Sequence, residues 1–402
     1  MVLGAGGSGV SVLAAAGSME AARSRRGARP AGPLALTPGG GTLLVTVDPR
    51  SSLPDRLGVF RVPGEPVSVT ADLDLLHLDP LEVSEAAWRE FAAALAAIGS
   101  GRRLPVVGTL AGLDAGELTS LPGVQEFLLL RRIRDAATSG KWQRVVVDLS
   151  GPTDPFEMLR APTALAAMIE RLWPRHGRLA EATEKAYLAQ LAGAVEGIDR
   201  DCRDLSDLFG DPDSVAVHLA VDGGDRGLRI APEHLAIADL MGLPLRSVLV
   251  NAGPGGLPTA EVAARIRSTL GAECSAVGIV EIAAAADPLE RVARIRRLGV
   301  SLPAPDGNPH GSADARLDHL SGEGVGAEYR LSWTQGLPDP DRLALGRSAD
   351  DLLVTVSGFR HPVRLPPVLR RCLVSGADWD GRRLNVTFRP DPAVWPKRAG
   401  GN

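Results

Sequence analysis

A glycine-rich segment near the start of the chain has the residue types of an anion-binding loop. It reads GAGGSGVS from Gly4 to Ser11, follows the apolar residues 1–3, and precedes an alanine-rich stretch typical of a helix. A strand, a glycine turn and a helix in this order direct backbone N–H groups and a helix N-terminus at an anion. The pattern predicts a phosphate loop, although the first strand is shorter than the usual length of about 5 residues. The alternative is a flexible, glycine-rich terminus.

Three polar residues follow apolar runs farther along the chain. Asp48 ends TLLVTVD, Asp148 ends VVVD, and Asn251 ends SVLVN. Residues that follow the carboxyl ends of parallel strands meet at one edge of a sheet, where α/β proteins bind ligands. We expect these three side chains to face one crevice with the glycine loop. Each of them could instead cap or form a turn.

The segments that would position these residues alternate between strand-like and helical patterns over residues 1–302. Four runs, at 42–49, 144–151, 214–224 and 246–254, have apolar centres that contain β-branched residues. Runs that are apolar throughout favour strands buried on both faces of a parallel sheet. We therefore predict an α/β domain with a doubly wound, mostly parallel sheet. Residues 24–41 indicate a flexible insertion, and residues 156–212 a helical subdomain.

The pattern changes after residue 302. Residues 303–326 are polar and rich in glycine, which is typical of a linker. Between residues 327 and 392, short strand-like segments are separated by turn signals, which predicts a small β-sandwich. Residues 393–402 are predicted to form a tail.

Composition narrows the expected partners and location. The net charge is −4, from 44 basic and 48 acidic residues, with no long run of one sign. Nucleic acid and membrane surfaces are therefore not expected partners. No apolar run approaches the roughly 18 residues of a spanning helix, and the chain start lacks the basic segment of a secretion signal. We expect a cytoplasmic protein.

Cysteines and histidines give no sign of a metal centre. The cysteines are Cys202, Cys274 and Cys372, too far apart for a CxxC pair. Five of the histidines, His218, His234, His310, His319 and His361, are scattered along the chain, and none of them has a second histidine at helical spacing. We expect them to be surface residues or hydrogen-bonded core residues.

The order of the motifs over roughly residues 1–300 resembles the ArsA/Get family of deviant P-loop ATPases. In that family the phosphate loop reads GKGGVGKT, the two switches read DPAHSL and DTAPTG, and an asparagine after a late strand contacts adenine. The matching positions here are residues 4–11, 48–53 and 148–153 and Asn251. Residues 121–126, LPGVQE, also resemble the family's PGIDE segment, and Pro232-Glu233 the start of a later switch.

The resemblance implies ATP and Mg²⁺ as cofactors. The residues implied in nucleotide binding are Gly4, Gly6, Gly7, Gly9, Ser11 and Asn251. Ser11 and Asp148 are implied to serve the metal ion. Asp48 matches the catalytic aspartate that positions water.

Two loop positions depart from the family. Ala5 stands where a signature lysine reaches across the dimer, and Val10 stands where the Walker lysine contacts the β- and γ-phosphates. Phosphoryl transfer depends on positioning and charge stabilisation, and losing one such donor typically costs about 2.7 to 4 kcal/mol. We therefore expect ATP binding with weak or absent hydrolysis. Arg50 is the nearest arginine by sequence that could replace a lost charge.

The expected role is a conformational switch set by ATP or ADP, in a homodimer or in a heterodimer with an active ArsA-like paralogue. The metalloid-binding cysteines of the arsenite-pump branch and the zinc CxxC of the tail-anchor-targeting branch have no counterpart here. Neither named activity is therefore expected. The alternative is a non-catalytic scaffold that no longer binds nucleotide and holds a protein client.

Residues 327–392 resemble the α-crystallin-type (small heat-shock) domain that some bacterial ArsA-like proteins carry at their C-terminus. The matching segments are Leu337-Pro338, 351–358, Leu365-Pro366 and 377–388. An edge strand of such a module could accept an extended segment of a partner. The alternative is a self-contained, stabilising appendage.

Overall fold

A computed structural model describes residues 1–28, 40–99, 115, 123–151, 153–184, 186–252, 258–270, 277–348 and 350–395. Several predictions from the sequence lie outside these residues. They concern most of the insertion at 24–41, Leu121 and Pro122 of the PGIDE-like segment, Pro152 of the second switch, Cys274, and residues 396–402 of the tail.

An eight-stranded sheet forms the centre of the α/β region. Its strands are β1 (Val2–Gly4), β2 (Gly41–Thr46), β3 (Pro66–Thr70), β4 (Leu73–His77), β5 (Trp142–Asp148), β6 (Val217–Asp222), β7 (Leu245–Asn251) and β8 (Gly278–Ile282). The strand order is β3-β4-β2-β5-β1-β6-β7-β8. β1 pairs in parallel with β5 and β6, β2 pairs in parallel with β4 and β5, and β3 pairs antiparallel with β4. The predicted mostly parallel α/β sheet is confirmed.

The short strand β1 lies in the interior of this sheet. Val2 pairs with Asp148 of β5 on one side, and Leu3 pairs with Leu219 of β6 on the other. Val2 and Leu3 are fully buried. Three residues suffice for this strand because partners on both sides satisfy its backbone groups.

Ten α-helices connect or flank the strands in the described residues. They are α1 (Val10–Ala28), α2 (Leu53–Leu57), α3 (Pro80–Gly99), α4 (Val124–Thr138), α5 (Pro155–Leu172), α6 (Arg175–Glu184), α7 (Ala186–Gly210), α8 (Asp225–Met241), α9 (Thr259–Leu270) and α10 (Val292–Arg296). Helices α5 to α7 fall in the region whose periodicity indicated helices. None of the described helices is long and apolar enough to cross a membrane.

A buried arginine links α6 to α7. Arg178 is 1% exposed and its guanidinium donates to Asp199 at 3.0 Å and to Glu196 at 3.2 Å. A third bond, of 2.6 Å, goes to the carbonyl oxygen of Trp173. Removing one partner of such a buried pair leaves an uncompensated charge, so this contact fixes the packing of the two helices.

The chain divides into two compact units. The first comprises Met1–Phe209, His218–Ala220 and Ile282–Pro303, and the second comprises Gly210–Val217, Val221–Glu281 and Ala304–Asn402. The first unit contains the glycine loop. The second contains α8, β7 and the C-terminal strands.

Two antiparallel sheets form the C-terminal part of the second unit. The strands are β9 (Arg316–Ser321), β10 (Glu328–Thr334), β11 (Ala344–Ser348), β12 (Asp351–Val356), β13 (Phe359–Arg364), β14 (Cys372–Trp379) and β15 (Arg383–Pro390). One sheet has the order β14-β15-β10-β9 and the other β11-β12-β13. Alternate residues Leu384, Val386 and Phe388 of β15 are fully buried. This arrangement confirms the predicted small β-sandwich.

The predicted linker at residues 303–326 contains regular structure. A 3₁₀ helix spans Gly311–Asp314, and β9 pairs antiparallel with β10. Every residue of β9 is exposed, so this strand lacks the apolar alternation by which strands are recognised from sequence.

The sandwich is attached to α8 by buried hydrogen bonds within the second unit. Gln335, which is fully buried, donates to the carbonyl oxygen of Ala236 at 2.7 Å and accepts from Trp333 Nε1 at 3.0 Å. The backbone N–H of Gly336 donates to Asp239 Oδ2 at 2.8 Å. Because buried polar groups are costly to leave unpaired, these bonds hold the helix and the sandwich together.

Candidate functional site

The glycine loop makes a tight turn between β1 and α1. Gly7 and Gly9 have positive φ angles, 88° and 87°, which side-chain-bearing residues rarely adopt. Ser8 is buried and closes the turn, since its backbone N–H and its hydroxyl both donate to the carbonyl oxygen of Ala5, at 3.0 and 2.7 Å. Helix α1 begins at Val10, directly after the loop. The N-terminal end of α1 therefore faces the space above the loop.

Two glycines of the loop differ in how much room surrounds them. A Cβ atom at Gly4 would lie 2.4 Å from the carbonyl oxygen of Ala220 and 2.8 Å from Ser8 Oγ. A Cβ atom at Gly6 would have no neighbour within 4 Å. Gly4 is thus required by packing, whereas Gly6 is exposed to the space beside the loop.

A cleft of about 560 Å³ opens beside the loop, and we call it the glycine-loop cleft. Its lining comes from four segments of the first unit, namely residues 4–12 apart from Ser8, Ser52 with Arg56, residues 149–151, and residues 153–155. This volume lies in the range of small-molecule sites. Five loop residues predicted to bind nucleotide line it: Gly4, Gly6, Gly7, Gly9 and Ser11.

A chain of hydrogen bonds runs from the cleft into the sheet. Ser11 Oγ lies 2.8 Å from Ser150 Oγ, and both residues line the cleft. The backbone N–H of Ser150 donates to Asp148 Oδ1 at 3.1 Å, and Thr46 Oγ1 donates to Asp148 Oδ2 at 3.0 Å. Thr46 reaches this carboxylate because it pairs with Asp148 in the register of β2 and β5.

Asp148 is fully buried beneath the cleft and does not line it. Burial raises the pKa of Asp148 above its usual range, and hydrogen bonds from Ser150, Ser11 and Thr46 partly oppose that shift. The carboxylate therefore acts on the cleft through the two serines rather than by direct contact.

Asp48 lies close to the same turn. A side chain at Gly151, whose φ is 148°, would contact Asp48 Cβ at 3.7 Å. The Asp48 carboxylate accepts from the backbone N–H of Arg50 at 2.9 Å, and its carbonyl oxygen accepts from Ser51 N at 3.0 Å. The side chain thus stabilises a local turn, and Asp48 is not among the residues that line the cleft.

Arg56 is the one positively charged residue that lines the glycine-loop cleft in the part of the chain that the structure describes. Its Nε donates to Ser52 Oγ at 2.9 Å and its Nη1 donates to the carbonyl oxygen of Leu289 at 2.6 Å. The cleft is not lined by Arg50, the arginine singled out from the sequence. Helix α2 turns Arg56 towards the cleft, four residues after Ser52, whereas Arg50 is exposed.

The two departures from the phosphate-loop pattern both line the cleft. Ala5 is half-buried, and Val10 is 5% exposed at the first position of α1. Neither side chain can donate a hydrogen bond or carry a charge. The loop therefore offers an anion only its backbone N–H groups and the hydroxyl of Ser11.

Asn251 is the last residue of β7 and belongs to the second unit. Its carbonyl oxygen accepts from the backbone N–H of Gly223 at 2.8 Å. The role of Asn251 in adenine recognition remains a prediction.

Across the described residues, no group of three histidine, cysteine or acidic side chains could hold a metal ion. A divalent cation in the glycine-loop cleft would need the Ser11 hydroxyl together with ligand oxygens and water, the usual arrangement for Mg²⁺.

Three residues of the site were missed by the sequence reasoning: Thr46, Ser150 and Arg56. Thr46 interrupts an otherwise apolar run and Ser150 follows Asp148 by two residues, so both positions carried a weak signal. Arg56 carried no such signal, because only the fold of α2 brings it to the cleft.

Two family models match the chain. The anion-transporting ATPase (ArsA) model matches residues 31–251, and a model of the HSP20-like domain found in ArsA matches residues 326–388. The first match begins after the glycine loop. Assignment of residues 4–11 as the phosphate loop therefore depends on their geometry between β1 and α1.

Curated relatives extend the similarity over nearly the whole chain. Protein Rv2184c of Mycobacterium tuberculosis is 33% identical over 384 residues, covering 88% of this chain and 90% of that protein. The uncharacterized protein SCO2128 of Streptomyces coelicolor is 30% identical over 99% of this chain and 98% of its own length. A putative arsenical pump-driving ATPase of Prosthecochloris vibrioformis is 22% identical over 52% of this chain and 53% of its own length.

Proposed function

Because the chain belongs to the anion-transporting ATPase family, we propose that it binds ATP with Mg²⁺ at the glycine-loop cleft and hydrolyses it weakly or not at all. Occupancy by ATP or ADP would set the conformation of a cytoplasmic switch. That switch would act as a homodimer or as the partner of an active ArsA-like paralogue.

The observation that carries this proposal is the link from the loop to the buried carboxylate. Ser11 Oγ and Ser150 Oγ lie 2.8 Å apart in the cleft, and Asp148 anchors Ser150 from beneath. Burial raises the pKa of Asp148. A cation in place of the Ser11–Ser150 contact would oppose that shift, because a nearby positive charge favours the ionised carboxylate. The residues present therefore suit a hydrated Mg²⁺ held by Ser11, with Asp148 orienting the ligand.

Nucleotide phosphates would be held mainly by the backbone. The loop N–H groups and the N-terminal end of α1 provide fixed partial positive charge without any lysine. Mg²⁺ held at Ser11 would neutralise part of the phosphate charge. Arg56 is the residue we assign to the phosphates in place of a loop lysine, because it is the cation that lines the cleft in the described residues.

Weak hydrolysis follows from the same set of residues around the cleft. Ala5 and Val10 provide no mobile charge for the oxygens of the transferred phosphoryl group. Each missing donor of this kind raises the barrier by about 2.7 to 4 kcal/mol. Arg56 already donates to Ser52 and Leu289, so its guanidinium is held at the edge of the cleft and replaces at most one of the two charges.

Thermal denaturation with and without Mg²⁺ and ATP tests binding. A ligand at 100 times its Kd stabilises the folded state by about 2.7 kcal/mol. We expect a raised midpoint at millimolar ATP together with trace phosphate release. An unmoved midpoint would favour the non-catalytic scaffold, and rapid Mg²⁺-dependent turnover would refute the impaired site.

A matched pair of variants tests the assignment of Arg56. Arg56→Gln is expected to weaken ATP binding about tenfold, because a charge-assisted contact to phosphate is lost. Arg50→Gln removes an exposed arginine from the preceding turn that does not line the cleft. Its affinity should stay within about twofold of the unmodified protein. Equal losses in both variants would contradict the assignment.

A further inference from the structure

A second, smaller cavity lies within the second unit and is lined by four arginines. They are Arg246, Arg316, Arg382 and Arg383, and we call the space of about 210 Å³ that they line the arginine cavity. Arg246 belongs to β7, Arg316 begins β9, and Arg383 begins β15. Guanidinium groups therefore approach the cavity from three different strands.

The acidic side chains of the lining do not balance these arginines. Two carboxylates, those of Asp306 and Asp314, line the cavity against four guanidinium groups. Asp306 lies 2.6 Å from Arg246 Nη1 and also accepts from the side chain of Asn308 at 2.6 Å. Asp314 lies 3.5 Å from Arg316. The lining thus contains four guanidinium groups and two carboxylates.

Arg383 contributes one of these guanidinium groups. Its Nη2 donates to the carbonyl oxygen of Ser332 at 3.1 Å, which is a neutral acceptor. The Asp380 carboxylate, outside the lining, accepts from the backbone N–H groups of Arg382 and Arg383, at 3.0 and 2.7 Å. These two bonds, together with the positive charges of both side chains, lower the pKa of Asp380. The two backbone bonds fix the turn that carries Arg382 and Arg383 at the edge of the cavity.

His310 forms part of the wall. Its Nε2 lies 2.7 Å from Asp239 Oδ1, and its side chain is 14% exposed. Asp239 belongs to α8 and also accepts from the backbone N–H of Gly336. The wall is therefore held in place by the same junction that attaches the sandwich to α8.

We propose that the arginine cavity binds a small tetrahedral oxyanion of the inorganic phosphate class. The volume is below the roughly 300 to 1,000 Å³ of sites for drug-sized ligands, so the ligand is smaller than a nucleotide. A planar carboxylate is satisfied by one guanidinium fork, whereas guanidinium groups from three strands suit an acceptor with oxygens in several directions. The bound anion would bridge β7 to β9 and β15 and stabilise the second unit.

The cavity and the glycine-loop cleft have no lining residue in common. The two sites can therefore be separated by mutation. This distinction matters because inorganic phosphate could also occupy a phosphate loop.

Calorimetric titration of the full chain with inorganic phosphate, in the presence of saturating Mg²⁺ and ATP, tests the proposal. We expect one phosphate site that Arg383→Gln and Arg382→Gln each weaken about tenfold, with ATP binding unchanged. Arg389→Gln is the matched control, since Arg389 also belongs to β15, is 66% exposed and pairs with Glu328. The control should bind phosphate within about twofold of the unmodified protein.

Several outcomes would overturn the proposal. They are no phosphate binding in the millimolar range, equal weakening by Arg383→Gln and Arg389→Gln, or tighter binding of acetate than of phosphate. Because Arg383 also bonds Ser332, the melting midpoint of each variant without phosphate is measured first. If Arg383→Gln alone is unfolded, Arg382→Gln decides the question. A phosphoserine peptide is titrated in parallel, and stronger binding of the peptide would replace free phosphate with a phosphoprotein.

Discussion

The glycine-loop cleft and the arginine cavity are two proposed anion sites that differ in construction. The cleft depends on backbone N–H groups, two serine hydroxyls and one lining arginine, whereas the cavity has four lining arginines and comes from separate strands. A backbone site keeps its shape when charged side chains are replaced, because the glycine turn and helix α1 define it. A site built from guanidinium groups loses its contacts to the anion when those side chains are replaced. The proposed function therefore separates turnover, which needs the lysines of the family's loop, from binding, which needs the backbone scaffold.

Placing a lysine in the loop would give the glycine-loop cleft a charged side chain and so remove its main difference from the arginine cavity. Val10→Lys would place an ammonium group at the position that contacts β- and γ-phosphates in the family. We expect ATP hydrolysis to rise by about 10²- to 10³-fold, equivalent to about 2.7 to 4 kcal/mol of barrier. The rate of phosphate release under saturating ATP measures the change.

Val10→Met is the control for this gain, because it adds length without charge. Val10 is 5% exposed, so the stability of both variants is measured alongside turnover. Unchanged hydrolysis in a folded Val10→Lys protein would mean that missing charge does not limit the cleft.

A second prediction tests whether the cleft depends on backbone geometry. Gly4→Ala would place a Cβ atom 2.4 Å from the carbonyl oxygen of Ala220, against rigid strand backbone. We expect a loss of about 1 to 3 kcal/mol in the free energy of unfolding, typical of overpacking, together with weaker ATP binding. Denaturant titration measures the first effect and calorimetry the second.

Gly6→Ala provides the comparison within the same loop. A Cβ atom at Gly6 meets nothing within 4 Å, and its φ is not positive. The free energy of unfolding should change by less than about 0.5 kcal/mol. A tolerated Gly4→Ala, or an equally damaging Gly6→Ala, would show that packing does not define the turn.

The two sites also differ in how far the sequence could predict them. Runs such as VVVD and SVLVN predicted strands because their residues are apolar throughout, and the sheet they form is confirmed. No strand was predicted at β3, whose five residues are half-buried or exposed. Glycine spacing located the loop, because tight turns require positive φ at Gly7 and Gly9.

The arginine cavity could not be predicted from local patterns. Arg246 and Arg383 belong to different strands, and their convergence depends on how the sandwich packs against α8. Part of the wall, β9, lies in a polar stretch whose composition is typical of a linker. Arg56 shows the same limit at the cleft, since the sequence pointed to the exposed Arg50 instead. Side chains brought together by tertiary packing leave no periodic signal.

A third prediction concerns the proton on Asp148. Burial raises the pKa of this carboxyl, so the proton is held more tightly in the folded chain than in the unfolded chain. A divalent cation at Ser11 would favour the ionised form and release that proton. We expect binding of Mg²⁺ and ATP to release a fraction of a proton in mildly acidic buffer. Titrations in two buffers with different ionisation enthalpies measure it.

Two substitutions isolate this release. Asp148→Asn removes the titrating group, and the proton release should disappear with it. Asp154→Asn is the control, in which the proton release should persist. It removes an aspartate that lines the cleft and caps α5 through the N–H groups of Phe156 and Glu157. Release that persists in Asp148→Asn would assign the proton to another group and remove the argument for Mg²⁺ at Ser11.

The smallest effect is expected at the wall of the arginine cavity. Burial opposes protonation of His310, but the hydrogen bond and charge of Asp239 outweigh it and raise the pKa of His310 above its usual 6.5. A histidine with a raised folded-state pKa contributes stability that is complete below the unfolded value and is lost as pH rises through the folded value. The unmodified protein should therefore exceed His310→Gln in stability at about pH 6, with the difference shrinking by about pH 9.

In an Asp239→Asn background the pH-dependent part of the difference should vanish, because the two groups act as a coupled pair. A pH-dependent difference that survives in that background would mean that Asp239 is not the group that stabilises protonated His310, and that another charge near the wall of the cavity does so.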